Sequence, residues 1–141
     1  MILAIDLGGT KVEAALVNAD GTVLAGSRVR RATGPDIDAD GLRAVIAEVV
    51  DASLAQLPGD TTLQGVGIGS AGPVSLESGE VMPINMPGIG RFPLREVVAE
   101  RVHRVFPGIA VRLRHDGTCI ALAESWVGAA RGHDSSIAMV V

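Results

Sequence analysis

The chain has 141 residues, 48% of them hydrophobic and 20% charged, with a formal net charge of -4. That length suits one domain with a real core, while arginines scattered among acids exclude the cationic footprint of a nucleic-acid or anionic-membrane binder. No apolar run nears the ~20 residues of a membrane span, Met1-Ile2-Leu3-Ala4-Ile5-Asp6 lacks a signal-peptide pattern, and Cys119 is the single cysteine, so the expectation is a soluble protein of a reducing cytoplasm.

Ile2 to Leu7 and Val12 to Val17 are apolar runs that predict strands, and Asn18-Ala19-Asp20-Gly21 supplies a hairpin turn into a third strand over Thr22 to Val29. The period then changes. Leu42, Val45, Ile46, Val49, Leu54 and Leu57 fall at helical spacing, with Asp38 or Asp40 as candidate caps and Pro58-Gly59 as a stop. Gly65 to Ser70 reads as an apolar, glycine-rich strand, followed by an irregular segment through Gly90. Pro93 opens a second helix whose Leu94, Val97, Val98, Val102 and Val105 share one face. Ile109 to Leu113 is a short strand, and Asp116 to Val127 a third helix with Ile120, Ala123 and Trp126 or Val127 inward. Ser136 to Val141 reads as a last strand, which raises the expectation of a continuation beyond it. Three leading antiparallel strands, then strands joined by helices, predict an α/β fold with a mixed sheet and helices covering its faces.

Asp6-Leu7-Gly8-Gly9-Thr10-Lys11 places an acid at the carboxyl end of a strand before two glycines and a hydroxyl. Such a turn can present N–H groups to phosphate, with Asp6 holding Mg²⁺ directly or through water; by shape alone it is equally an ordinary hairpin turn. Gly67-Ile68-Gly69-Ser70-Ala71-Gly72 fits G-x-G-x-x-G, but Pro73, Gly79 and Pro83 follow where a dinucleotide fingerprint needs a helix, so that reading fails. No Walker-type phosphate loop occurs. Asp116, after His115 at a strand-to-helix junction, suits a helix cap, a general base at a cleft, or both. Asn85 in Asn85-Met86-Pro87-Gly88 offers a donor and an acceptor to a sugar hydroxyl, or simply makes a turn. His103 reads as a solvated helix residue, His133 as a loop residue and Cys119 as a small core residue. No Cys, His and acid spacing suggests a metal site built from side chains alone.

In this order, these stretches resemble the ROK family of sugar kinases and sugar-responsive repressors, within the actin-like, hexokinase-like superfamily. Asp6 to Lys11 is similar to the family's first phosphate motif, Gly67 to Val74 to its G-x-G-x-P-G-P-V segment, Asn85 to Gly88 to its N-x-P-G sugar loop, and His115-Asp116 through Glu124 to its N-D-A-N-x-A-A-L-x-E helix start. The resemblance implies a ribonuclease H-like (actin-like ATPase) domain, with residues 1–141 as the N-terminal lobe of an ATP-dependent, glucokinase-like hexose kinase. The second phosphate loop, the adenosine pocket, further sugar ligands and a zinc site would all lie beyond Val141.

Asp116 would then take the proton from the sugar 6-hydroxyl, while Asp6, Gly8, Gly9, Thr10 and Lys11 handle ATP and Mg²⁺. Gly69, Ser70, Ala71, Asn85 and His115 would join Asp116 in binding sugar. The partners implied are ATP and a small sugar, without nucleic acid or membrane, in a full-length protein that forms dimers. Alternatives are a sugar-sensing regulatory member without catalysis and a truncated structural half. The chain departs from the family pattern at His115 and Thr118, each in place of Asn, at Ala71 in place of Pro, and at Ser75 in place of Asp.

Overall fold

The computed structural model describes residues 1–139 of the chain. Ile2–Leu7 (β1) and Lys11–Val17 (β2) form an antiparallel hairpin in which Leu3, Ile5 and Leu7 stand opposite Leu16, Ala14 and Val12. All six are buried on one face, because successive side chains along a strand alternate between faces.

The third strand differs from the expected Thr22 to Val29. Pairing with β2 begins with a single bridge, Val17 to Val23, then lapses, and β3 spans Val29–Ala32. Ser27 is the reason. Its hydroxyl accepts the Leu16 N–H at 3.0 Å and donates to the Leu24 carbonyl at 2.8 Å, taking the place of a backbone partner while the chain bends at Gly26.

Ala39–Leu54 (α1) starts where the Asp38 carboxylate accepts from the Gly41 N–H at 2.7 Å, so Asp38 rather than Asp40 is the cap. The helix buries Leu42, Ile46, Val49 and Val50. It leads to Gly65–Ser70 (β4), parallel to β1. The segment expected to be irregular carries a small ribbon, Val74–Ser75 (β5) with Glu80–Val81 (β6). Leu94–His103 (α2) follows Pro93 and buries Leu94, Val97, Val98 and Val102, whereas Val105 lies past its end and is exposed. His103 is not simply solvated, since its Nε2 stands 2.9 Å from the Ile109 carbonyl.

Val111–His115 (β7) runs parallel to β4, two residues later than expected, and passes directly into Asp116–Val127 (α3). Residues 136–139 form no strand, and the rest of that expected strand, Val140 and Val141, lies outside the described residues.

The strand order is β3-β2-β1-β4-β7, and the core fills the space between one sheet face and the packed pair α1 and α2. On the opposite face α3 crosses β4 and β7. The expected mixed sheet with helices on both faces is therefore present. The expected inward side of α3 is not buried: Ile120, Trp126 and Val127 are exposed, and Cys119 is only partly covered rather than a core residue. The sheet explains this. Toward α3 it presents Gly67 and Gly69, which offer no side chains to pack against. No helix among the described residues is long and apolar enough to cross a membrane.

Candidate active-site cleft

Three parallel strands end at the same level. Leu7 of β1 pairs with Ser70 of β4, and Ser70 with His115 of β7, so the residues around these positions meet along one sheet edge. In doubly wound sheets ligands gather at this carboxyl edge.

Asp6 points to the α3 side of the sheet, paired across to Gly69. A cavity of about 910 Å³ lies there, lined by Asp6, Gly67, Gly69, Arg114, Asp116 and Cys119 among others. The row of small residues in β4 leaves the space open. Burial pushes the Asp6 carboxyl above its ordinary value; Lys11 opposes this, while the negative charges of Asp116 and Glu13 add to it. Cys119, one turn beyond Asp116, has its thiol pushed up by burial and then by Asp116 and Asp6, against Arg114.

Asp116 also lines a second cavity, about 630 Å³, with Ala71, Gly72, His115 and Thr118. Ala71 and Gly72 continue into a third, about 180 Å³, lined by Gly8, Gly9 and Asn85. The two cavities share Ala71 and Gly72, with Asp116 lining one and the Gly8-Gly9 turn the other.

That turn is a tight hairpin, closed by the Gly8 N–H on the Lys11 carbonyl at 2.9 Å. The hairpin reading thus describes this backbone. Gly9 is required for close approach: a Cβ there would lie 2.8 Å from the Asn85 Cβ. Asn85 therefore packs against the turn rather than merely capping its own loop. Thr10 is exposed, with its carbonyl accepting from the Thr33 N–H at 2.9 Å, and Lys11 begins β2.

His115 is the N-cap residue of α3, and Asp116 is its first residue, which revises the cap assignment for Asp116. The Asp116 Oδ1 accepts the Gly117 N–H at 2.6 Å and stands 3.0 Å from His115 Nδ1. Ser70 also departs from expectation. Its side chain is buried, and the hydroxyl donates within the backbone, 3.3 Å from the Leu7 carbonyl and 3.1 Å from that of Ala71. Gly69 lies under Cys119, and Ala71 lines the cavity beside Asp116. Sequence reasoning missed Arg114, Cys119 and Gly72. The alternation in β4 and β7, with Gly69 and Arg114 in register and on the Asp6 side, is the signal that could have found Arg114.

Mg²⁺ takes oxygen ligands and usually keeps waters and substrate phosphates rather than an all-protein cage. The described residues contain no cluster of three or more His, Cys, Asp or Glu that could hold a metal, yet Asp6 and Asp116 open on one cavity. That donor set fits a metal held through one or two carboxylates together with phosphate.

The ROK family model matches residues 2–141. The glucokinase of Thermotoga maritima is 32% identical over 141 residues, covering 99% of this chain and 41% of that protein. Among solved structures, the ROK hexokinase from Thermus thermophilus superposes with a TM-score of 0.72 at 29% identity, covering 93% of this chain and 40% of that one. A ROK family glucokinase from Streptomyces griseus, in complex with glucose and AMPPNP, gives 0.70 at 30% identity, covering 94% and 38%. This chain thus spans about two fifths of the length of such relatives. With the sheet order, the glycine turn and the strand-to-helix acid all carried on that actin-like framework, the chain belongs to the ROK family.

Proposed function

We propose that this chain supplies the N-terminal lobe of an ATP-dependent sugar kinase, glucokinase-like, which transfers the γ-phosphoryl of ATP to the 6-hydroxyl of a hexose. The observation that carries this reading is that the cavity at Asp116 and the cavity at the Gly8-Gly9 turn adjoin through Ala71 and Gly72. Phosphoryl transfer needs chiefly positioning and charge stabilisation. Adjoining cavities with nucleotide-holding backbone at one and a base at the other suffice for this lobe's share.

Within it, the N–H groups of Gly9 and Thr10 take phosphate oxygens, Gly8 holds the turn through its N–H on the Lys11 carbonyl, and Lys11 adds positive charge beside Asp6. Asp6 holds Mg²⁺ directly or through water, and the metal, when bound, neutralises charge on the transferring phosphoryl group. Asn85, packed on Gly9, presents its amide to sugar hydroxyls next to the phosphates. Asp116 accepts the proton of the attacking hydroxyl; Gly117 N–H holds Oδ1, which leaves Oδ2 for that task. Ala71 and His115 line the cavity beside Asp116. The buried Ser70 hydroxyl is committed to the backbone, so its part is to hold the Ala71 turn in place.

The relatives named glucokinase and the glucose-bound and AMPPNP-bound neighbour support this choice of substrates. The test uses protein expressed from the complete reading frame, supplied with Mg²⁺, ATP and a panel of hexoses. ³¹P NMR of the products should show a 6-phosphate monoester formed with release of ADP. No ATP turnover alongside tight sugar binding would favour the regulatory reading instead, and ATP turnover independent of every sugar would contradict sugar phosphorylation.

A further inference from the structure

We infer that the Thr33 hydroxyl is a positioning group for the nucleotide turn: when phosphate binds at Gly9 and Thr10, Thr33 Oγ1–H donates to the Thr10 carbonyl beside the Thr33 N–H. The inference rests on the proposed reading of that turn as the phosphate holder.

Thr33 follows the last residue of β3, and its N–H donates to the Thr10 carbonyl at 2.9 Å. That bond extends the ladder between β2 and β3 one step beyond the pair Lys11 and Ala32, so β3 ends directly on the turn. The faces of β3 are marked by its arginines. Arg30 meets Glu13 on one side, and Arg31 meets Glu48 of α1 on the other. Alternation then puts the Thr33 side chain on the α1 side, next to the turn.

There Thr33 Oγ1 is enclosed, and among the described residues it is the one buried side-chain nitrogen or oxygen without a hydrogen-bond partner. The buried hydroxyls of Ser27, Ser53 and Ser70, by contrast, each hold a backbone group. An enclosed hydroxyl with nothing to bond costs stability, and an apolar side chain of the same shape avoids that cost. Threonine here therefore calls for a second arrangement in which the hydroxyl is paired.

The turn can supply it. The Gly8 N–H is already engaged by the Lys11 carbonyl, so aiming the Gly9 and Thr10 N–H groups at a phosphate rotates the peptide planes between Gly9 and Lys11. Gly9 is backed by Asn85, whose Cβ would lie 2.8 Å from a Cβ at Gly9, which leaves the exposed Thr10 end to adjust. The Thr10 carbonyl accepts one donor from Thr33 and has a second lone pair. Two donors from one residue fix that carbonyl, and with it the peptide that follows Thr10.

The experiment compares Thr33→Val, which keeps the shape and removes the hydroxyl, and Thr33→Ser, which keeps the hydroxyl, with the parent, each expressed from the complete reading frame. Thermal melts are recorded without nucleotide, and AMPPNP with Mg²⁺ is titrated by calorimetry without sugar. Thr33→Val is expected to melt no lower than the parent yet to bind AMPPNP about three- to tenfold more weakly, the worth of one hydrogen bond. Thr33→Ser is expected to bind as the parent does. In turnover with sugar, Thr33→Val should raise KM for ATP while kcat stays within about twofold. Equal AMPPNP affinity in the parent and Thr33→Val overturns the inference, as does a parent that binds no AMPPNP. A Thr33→Val protein that melts below the parent, or a Thr33→Ser protein that binds as weakly as Thr33→Val, overturns it as well. Weakened AMPPNP binding by Thr33→Val in a protein that phosphorylates no sugar would retire the kinase reading and keep the role of Thr33. Sugar phosphorylation with AMPPNP affinity unaltered by Thr33→Val would do the reverse.

Discussion

Asp6 and Asp116 carry the same carboxylate into one cavity, and the proposed function gives them different work. Burial is the largest influence on Asp6 and raises its affinity for protons above the ordinary 3.8. An acid so raised binds more protons folded than unfolded between those two values, so stability falls as pH rises through that window. Asp6→Asn should therefore match the parent in thermal melts below about pH 3.8. Above the window it should melt no lower than the parent, and thermal scans across pH check this. The same variant should lose nucleotide affinity in the presence of Mg²⁺, measured by titration with a fluorescent ATP analogue. A variant less stable than the parent at neutral pH would show that Asp6 has a structural partner. Both acids were legible in the sequence because each stands where a strand gives way to a turn or helix. Ser70 was not, since only the folded register brings its hydroxyl to the Leu7 carbonyl.

At the scale of elements, α1 was legible to within a few residues because an Asp cap and a full apolar stripe point to the same helix. The third strand was misplaced because apolar content says nothing about which group satisfies the Leu16 N–H. Ser27 does, and the Ser53 hydroxyl of α1 in turn donates to the Ser27 carbonyl at 2.8 Å. All of this lies in the buried core. Ser27→Ala should thus cost about 1–3 kcal/mol, the penalty of an unsatisfied buried donor, read from urea unfolding midpoints at constant slope. Ile46→Ala, a plain cavity on the same helix, should cost roughly 2–5 kcal/mol. An unaltered midpoint for Ser27→Ala would mean that Leu16 finds another partner. The strand β7 was read two residues early because Ile109 is apolar enough to look like sheet. It serves instead the turn after α2, where its carbonyl meets His103.

For the whole molecule, the arrangement that matters is the alignment of Leu7, Ser70 and His115 across three strands. No local pattern encodes that alignment; the ordered set of motifs did, through the family whose fold they share. The same scale explains why α3 buries nothing fully while Trp126, the sole tryptophan, is half exposed. With Trp126 half exposed, the 141-residue chain should emit near the wavelength of solvated indole. Protein from the complete reading frame, with Trp126 as its reporter in a background lacking other tryptophans, should emit at shorter wavelength if the second lobe covers α3.

The most direct test of the central claim sets nucleotide affinity beside turnover for Asp116→Asn in that same protein. The role proposed for Asp116 predicts that ATP binding stays within about threefold while kcat falls by roughly 10²–10⁴, the usual worth of a general base. Turnover equal to the parent, at equal ATP affinity, would contradict it.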